Sequence, residues 1–313
     1  MKISRLGLGC GNFGGVGSAP AFYGMGETCA QAAELLDRAL DAGVNLLDTA
    51  DAYGGGRSEE FIGRWLKARG SAVRDQLVVS SKVYNPVGPG PNQRGLSRLH
   101  ILRQIDASLT RLETDRLDLY LIHEPDPETP IDETLRALDD AVRAGKILYI
   151  GASNISAWRM AVARGVSDLR RLARFEWVQN SYSLLDRTAE REMLPLCADQ
   201  HIGFTAFSPL AGGWLTGKYR SGQYPDGSRM TLRPEPYLHL ATDHVFRGLD
   251  ALADAARARG VSMDALALAW VLHHPGVDAA IIGPRTSAHL DSALAAIDVV
   301  LTAHEAAALA ALF

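Results

Sequence analysis

The sequence predicts an α/β protein built as a single (β/α)8 TIM barrel with long loops at the C-terminal face of its strands, and three observations predict it. Short β-rich runs alternate with segments of helical period throughout the 313 residues, which is the pattern of successive βα units. Eight such runs stand at 6–10, 45–49, 77–82, 117–123, 147–153, 177–181, 203–208 and 279–283. Except before the last, their starts advance by roughly 25 to 40 residues, enough for a strand, a crossover helix and two connections. Runs such as Leu119-Tyr120-Leu121-Ile122 are apolar at every position, as parallel strands covered by helices are, whereas a sheet wet on one face would alternate. No low-complexity linker divides the chain, so residues 1–313 are expected to form one barrel domain. An open doubly wound sheet is the alternative architecture.

The first run leads into Gly9-Cys10-Gly11-Asn12-Phe13-Gly14, which fits G-x-G-x-x-G. A dinucleotide fingerprint needs a helix to begin within those glycines, so that its N-terminus meets the pyrophosphate. Here Gly15-Val16-Gly17-Ser18-Ala19-Pro20 follows, and the segment reads instead as a rim loop with a bare backbone. Thr28 caps a helix over 28–42, with Ala33, Leu36 and Leu40 at helical spacing and Gly43 beyond its end. Helices over 97–112, 132–144 and 188–200 read the same way. The wide interval before the last strand holds helices at 242–259 and 262–273. Residues 218–239, rich in Pro, Gly, Tyr and Arg, read as a long ordered rim loop, a class that is usually functional when it occurs in a compact domain. Helices at 286–296 and from 302 to the end complete the chain.

Composition narrows the function. With 47% apolar and 22% charged residues and a formal charge of -4, the chain offers no basic field for nucleic acid or an anionic membrane surface. No apolar run approaches the ~18 residues of a membrane span. The opening Met1-Lys2-Ile3-Ser4-Arg5-Leu6-Gly7 is broken by glycine too early for a secretory signal. Cys10, Cys29 and Cys197 are odd in number and far apart, which suits a reducing, cytoplasmic setting better than a disulfide framework. They also lack zinc-site spacing.

In a barrel of this kind the reactive groups stand at the C-terminal ends of the strands. The second, third and fourth runs end in Asp48, Lys82 and His123, with Tyr53 five residues beyond the acid. Taken singly these are a turn former, a snorkelling lysine and a satisfied histidine. Taken together they answer one another, because a buried lysine requires a carboxylate and Asp48 lies on the adjacent strand. A phenol of pKa ~10 is a reluctant proton donor, and a neighbouring ammonium lowers that value. Lys82 is expected to act so on Tyr53, Asp48 to orient Lys82, and His123 to hydrogen-bond a substrate oxygen or assist the proton transfer. The set suits a reaction in which charge develops on a carbonyl oxygen, as in hydride transfer.

Asp48-Thr49-Ala50 with Tyr53-Gly54, Ser80-Ser81-Lys82, Leu121-Ile122-His123 and Ile150-Gly151-Ala152-Ser153-Asn154 together resemble the aldo-keto reductase superfamily, over about residues 5–301. Tyr84-Asn85-Pro86 and Gln93-Arg94-Gly95-Leu96-Ser97 are similar to its bacterial and channel-β-subunit-like side. The resemblance implies a catalytic tetrad of Asp48, Tyr53, Lys82 and His123 in an enzyme that reduces aldehydes or ketones with NADP(H), NAD(H) remaining open. It implies that Asp48, Ser153, Asn154 and Gln179 lie at the nicotinamide, with Phe207 stacked on its ring. Ser208, Leu210, Gly212 and Lys218 fall around the pyrophosphate, and Gly283, Arg285 and Thr286 at a 2′-phosphate. His289 stands where the family commonly has Arg or Gln, and Ser292-Ala293 where it commonly has Glu-Asn. Tyr23, Tyr84 and Trp177, with Phe22 and Met25, are expected to form an aromatic mouth for a small carbonyl substrate. The rival readings are a cofactor-binding sensor or regulatory subunit with little turnover, and a hydrolase or lyase using Asp48 and His123 alone.

Overall fold

Strands and helices alternate from end to end of the computed structural model, which describes residues 1–313. β1 (Leu6–Gly9) is followed by α1 (Cys29–Asp41), β2 (Leu46–Asp48), α2 (Arg57–Arg69), α3 (Ser71–Arg74), β3 (Val78–Val83), α4 (Arg98–Leu112), β4 (Leu117–Ile122), α5 (Ile131–Arg143) and β5 (Ile147–Ser153). Then come α6 (Ala157–Arg170), β6 (Phe175–Ser181), α7 (Met193–Gln200), β7 (Gly203–Phe207), α8 (Arg229–Leu232), α9 (Asp243–Ala258), α10 (Met263–His273), β8 (Ala279–Ile282), α11 (Ser287–Leu294) and α12 (Ala303–Ala310). The strands pair in parallel in chain order, and β8 returns to β1 to close a (β/α)8 barrel. Closure leaves no sheet edge, so the open doubly wound alternative does not apply. No helix is long and apolar enough to cross a membrane.

Local chemistry sets the helix starts. The Thr28 hydroxyl accepts from Gln31 N–H while the Gln31 side chain answers the Thr28 N–H, and Thr302 and Glu305 repeat the arrangement at α12. The main core fills the space between the outer strand faces and the helices. Inside the barrel, Leu46, Val78, Ala279 and Ile281 form a small apolar cluster at the N-terminal end. β1 gives this interior no side chain: a Cβ on Gly7 would fall 2.8 Å from both Ile281 Cδ1 and Leu46 Cδ2. Two buried acids are paired, as burial of charge demands. Glu59 of α2 takes Arg111 Nε at 2.7 Å and the Ser81 hydroxyl, and Asp118 takes Arg74 at 2.8 Å.

The structure departs from the expected elements in four places. The helix read over 188–200 is a 3-10 turn at Thr188–Glu190 followed by α7, with Glu192 in a non-helical conformation between them. Pro195 is the reason, because it has no N–H to donate within a helix and fits only in the first turn. The helix read over 286–296 ends as α11, and a 3-10 turn at Ala295–Asp298 follows it. Residues 218–239 are less irregular than expected, holding α8 and the start of a 3-10 segment at Glu235–Leu240. Helices α2 and α6 do not stand out in the periodicity, because their buried faces include Ser58, Glu59, Arg164 and Ser167.

α2 meets α4 through Gly63, where an added Cβ would fall 2.1 Å from the Arg111 carbonyl oxygen. The oxygen belongs to backbone and the Cβ position is fixed by backbone, so relief requires the helices to separate. Gly63→Ala is therefore expected to destabilise the protein by about 1–3 kcal/mol, read as a lower urea midpoint. An unchanged midpoint would show that the α2–α4 spacing is not fixed by this contact.

Candidate active site

Asp48 ends β2 and lies level with Ser80 of β3, which brings it beside Lys82. Lys82 is wholly buried, and its Nζ donates to Asp48 Oδ2 at 2.6 Å and to the Thr49 carbonyl at 3.0 Å. Asp48 Oδ1 accepts from Gln179 Nε2 at 2.8 Å, across the barrel. Burial alone would push the Lys82 ammonium down, but Asp48 and Tyr53 outweigh it and hold its pKa above the ordinary lysine value. Asp51, the second acid of the same motif, is also buried, and neither of its carboxyl oxygens has a hydrogen-bond partner. Burial pushes its pKa well up, and it does not line the cavity described below.

Beyond β2 the chain turns through Gly54 and Gly55, both left-handed at φ 60° and 71°, before α2 begins. At Gly54 a Cβ would come within 2.7 Å of the Phe13 carbonyl oxygen, so only glycine fits there. This turn delivers the Tyr53 hydroxyl to a point 3.5 Å from Lys82 Nζ and 3.4 Å from His123 Nε2. The Tyr53 and His123 rings meet edge to face with centroids 5.5 Å apart. The expected lowering of the phenol pKa is overturned. Burial pushes it up by more than the Lys82 charge and hydrogen bond pull it down, so Tyr53 holds its proton above the usual phenol value. His123 is fixed through its backbone, donating to Val83 O at 2.9 Å and accepting from Asn154 Nδ2 at 2.9 Å. Burial, then the Lys82 charge, push its pKa down to about 3, so the imidazole is neutral at ordinary pH. Its Nδ1 stands 3.0 Å from Asn85 Nδ2.

These groups floor one end of a cavity of about 640 Å³. Asp48, Tyr53, His123, Ser153, Asn154, Gln179 and Phe207 line it together, followed by Ser208, Leu210 and Gly212 of the segment after β7. Asn154 and Ser208 are left-handed at φ 52° and 51°, a strained state for residues with side chains. Lys218, Arg229 and Arg285 bring three cations to the same cavity. Burial and its two cationic neighbours push the Lys218 pKa down, so the cluster is short of negative charge. Arg229 donates to Asn12 Oδ1 at 2.9 Å and Arg285 to Glu27 Oε1 at 3.0 Å, both in the loop after β1. Gly283, His289, Ser292, Ala293 and Asp264 also line it, and Asp264 Oδ2 accepts from the Ser292 hydroxyl at 2.6 Å.

Lys82 lies behind Asp48 and Tyr53 and does not itself line the cavity, and Thr286, Trp177, Tyr23, Tyr84, Phe22 and Met25 also lie outside the lining. Thr286 is the N-cap of α11, its hydroxyl taken by the His289 N–H. Trp177 shares the inner face with Gln179 but lies one layer deeper, against Gly203 and Gly151, with its indole N–H on Thr205 Oγ1 at 3.1 Å. The period of two gives a face and not a depth, which is why it is not a mouth residue. Tyr23 packs against Gly55 with its hydroxyl on Ser18 O, and Tyr84 packs against the core. The aromatic that does reach the cavity from the rim is Tyr237, whose ring covers Gly212. The sequence assigns no role to Arg229, Tyr237, Asp264 or Asn85. Asn85 stands only within the Tyr84-Asn85-Pro86 resemblance, and the Arg- and Tyr-rich composition of 218–239 marks the segment of Arg229 and Tyr237 without choosing them.

The Aldo/keto reductase family model matches residues 5–313. A protein of Bacillus subtilis described as the uncharacterized oxidoreductase YrpG is 38% identical over 309 residues, covering 96% of this chain and 89% of the relative. A protein of Arabidopsis thaliana described as a probable voltage-gated potassium channel subunit beta is 38% identical, covering 96% and 89%. The versiconal hemiacetal acetate reductase of Aspergillus parasiticus is 33% identical, covering 97% and 92%. With a closed barrel and a family match over nearly its whole length, the chain belongs to the aldo/keto reductase family of NAD(P)H-dependent carbonyl oxidoreductases.

Proposed function

We propose that this chain reduces aldehyde or ketone carbonyls to alcohols with NADP(H), Tyr53 giving the proton to the carbonyl oxygen. The observation that carries this reading is the position of the Tyr53 hydroxyl on the cavity floor, between the Lys82 ammonium and His123. A reduced nicotinamide, when bound, supplies the hydride that the carbonyl carbon receives. The Tyr53 proton goes to the oxygen, and the phenolate left behind is stabilised by Lys82 until solvent restores the proton. His123, being neutral, donates or accepts a hydrogen bond at the reacting oxygen without adding charge.

The residues present fit such a cofactor. Gln179 spends its amide nitrogen on Asp48, which leaves its Oε1, with Ser153 and Asn154, as partners for a carboxamide. Phe207 offers a stacking face. The mutually repelling Lys218, Arg229 and Arg285 suit a pyrophosphate and a further phosphate, which supports NADP(H). At the adenine end, Asp264 on α10 supports the reading that its carboxylate holds the exocyclic amino group, in place of the acidic residue absent at Ser292. The channel-subunit relative raises the second reading, a cofactor-binding subunit with little turnover.

Three outcomes are expected. NADPH consumption followed at 340 nm with a panel of activated aldehydes falls about 10²- to 10⁴-fold in Tyr53→Phe, while NADPH binding stays within about threefold of wild type. Equal rates would remove Tyr53 as the acid, and a single turnover in wild type would favour the second reading. Because the His123 pKa lies far below its ordinary value and that of Tyr53 above its own, both groups keep one protonation state between them. At saturating cofactor, kcat/KM for reduction is then flat from pH 5 to 8, and an inflection near the ordinary histidine value would assign a charged His123. Asp264→Ala weakens NADPH binding about tenfold, the loss of one charge-assisted hydrogen bond of about 1.5 kcal/mol. Fluorescence titration measures it, a parallel NADH titration reads the preference between cofactors, and unchanged affinity would place the adenine elsewhere.

A further inference from the structure

Two neighbours reach the Tyr53 oxygen, Lys82 Nζ at 3.5 Å and His123 Nε2 at 3.4 Å. If the phenol is to release its proton to a substrate, both must present hydrogens to that oxygen and neither a lone pair. An ammonium has only hydrogens to present. A neutral imidazole carries one N–H on either of two nitrogens, so His123 meets the requirement only as the Nε2–H tautomer. In the other tautomer the Nε2 lone pair would face the phenol and accept the very hydrogen that must leave.

The group at Nδ1 makes the selection. That group is Asn85 Nδ2, 3.0 Å away, just beyond the end of β3. An amide nitrogen donates and never accepts, so it meets Nδ1 as a bare lone pair and leaves the ring hydrogen on Nε2. The same Asn85 nitrogen stands 3.4 Å from Ser18 Oγ in the loop after β1, where the hydroxyl oxygen accepts from it. We propose that Asn85 is a positioning residue for the proton transfer: it holds His123 as the neutral Nε2–H donor, in a one-way chain from Asn85 through His123 to Tyr53. The only hydrogen free to leave that chain is the phenolic one. Asn85 touches neither substrate nor cofactor in this scheme, which rests on Tyr53 being the proton donor.

The test reads the tautomer directly. Histidine ring nitrogens of the ¹⁵N-labelled full-length chain are recorded by two-bond ¹H–¹⁵N correlation at pH 7.5, with His123 assigned by comparison with His123→Gln. Wild type is expected to show a protonated Nε2 and a bare Nδ1. Asn85→Asp, of the same shape but an acceptor, is expected to move the proton onto Nδ1, and Asn85→Leu to give a mixture. In both variants kcat for carbonyl reduction falls about 10- to 100-fold, while KM and the NADPH dissociation constant stay within about threefold. A protonated Nδ1 in wild type, a wild-type pattern in both variants, or an unchanged kcat would overturn the proposal. Should Asn85→Asp fail to fold, Asn85→Leu carries the same readings. The tautomer is read without turnover, so the expected spectrum in a wild type that reduces no carbonyl overturns the proposed function and leaves the Asn85–His123 geometry intact.

Discussion

Lys82 brings a full positive charge into the barrel interior with none of its surface exposed, and its surroundings follow from that. Its charge must be met, so Asp48 of the adjacent strand lies 2.6 Å away and the Thr49 carbonyl takes a second N–H. Asp48 in turn has an oxygen to satisfy, which draws Gln179 across the barrel from β6. The pair thus ties together three strands of the wall. It also keeps the ammonium charged at the spot where Tyr53 would be left as phenolate. Burial keeps His123 neutral, and the Lys82 charge beside it adds to the effect. The tie between β2, β3 and β6 and the electrostatics of the site are therefore two aspects of one interaction.

Most of the barrel can be read in the sequence because its strands are continuously apolar and its helices carry distinct caps. The β5 range follows from its sequence alone, and the other strand limits differ by one or two residues, where hydrogen bonding and hydropathy end at different places. α2 and α6 are hidden because polar side chains such as Glu59 and Arg164 are buried in them, satisfied by Arg111 and the Phe175 carbonyl from distant segments. Asp48, Tyr53, Lys82 and His123 can be read as a group because each ends or closely follows a strand, and strand ends converge in a barrel. Asn85, Arg229 and Asp264 cannot, since each enters the cavity or touches a site residue from a loop or helix whose placement depends on tertiary packing. The misjudged Tyr53 pKa has the same origin: the neighbouring charge was visible in the sequence, and the depth of burial was not.

Polar contacts tie the loop after β1 to remote parts of the rim. Asn12 and Glu27 engage Arg229 and Arg285, and Ser18 engages Asn85. Glu27 is buried, with one carboxyl oxygen bonded to Arg285 and the other without a partner. An anion arriving at the three cations shares guanidinium groups already engaged with this loop, so anion binding and loop order are coupled through the same hydrogen bonds.

The bare inner face of β1 continues upward through Gly9, where a Cβ would meet Ile281 Cγ2 at 2.8 Å, to Gly11, beside the Tyr53 ring. Lys82, Leu121 and Trp177 fill the interior from β3, β4 and β6, with Gly151 and Gly203 leaving room for the indole. Gly9 and Gly11 line the cavity. The first strand thus meets the site as main chain, and a molecule held there lies against peptide groups with no side chain of that strand between.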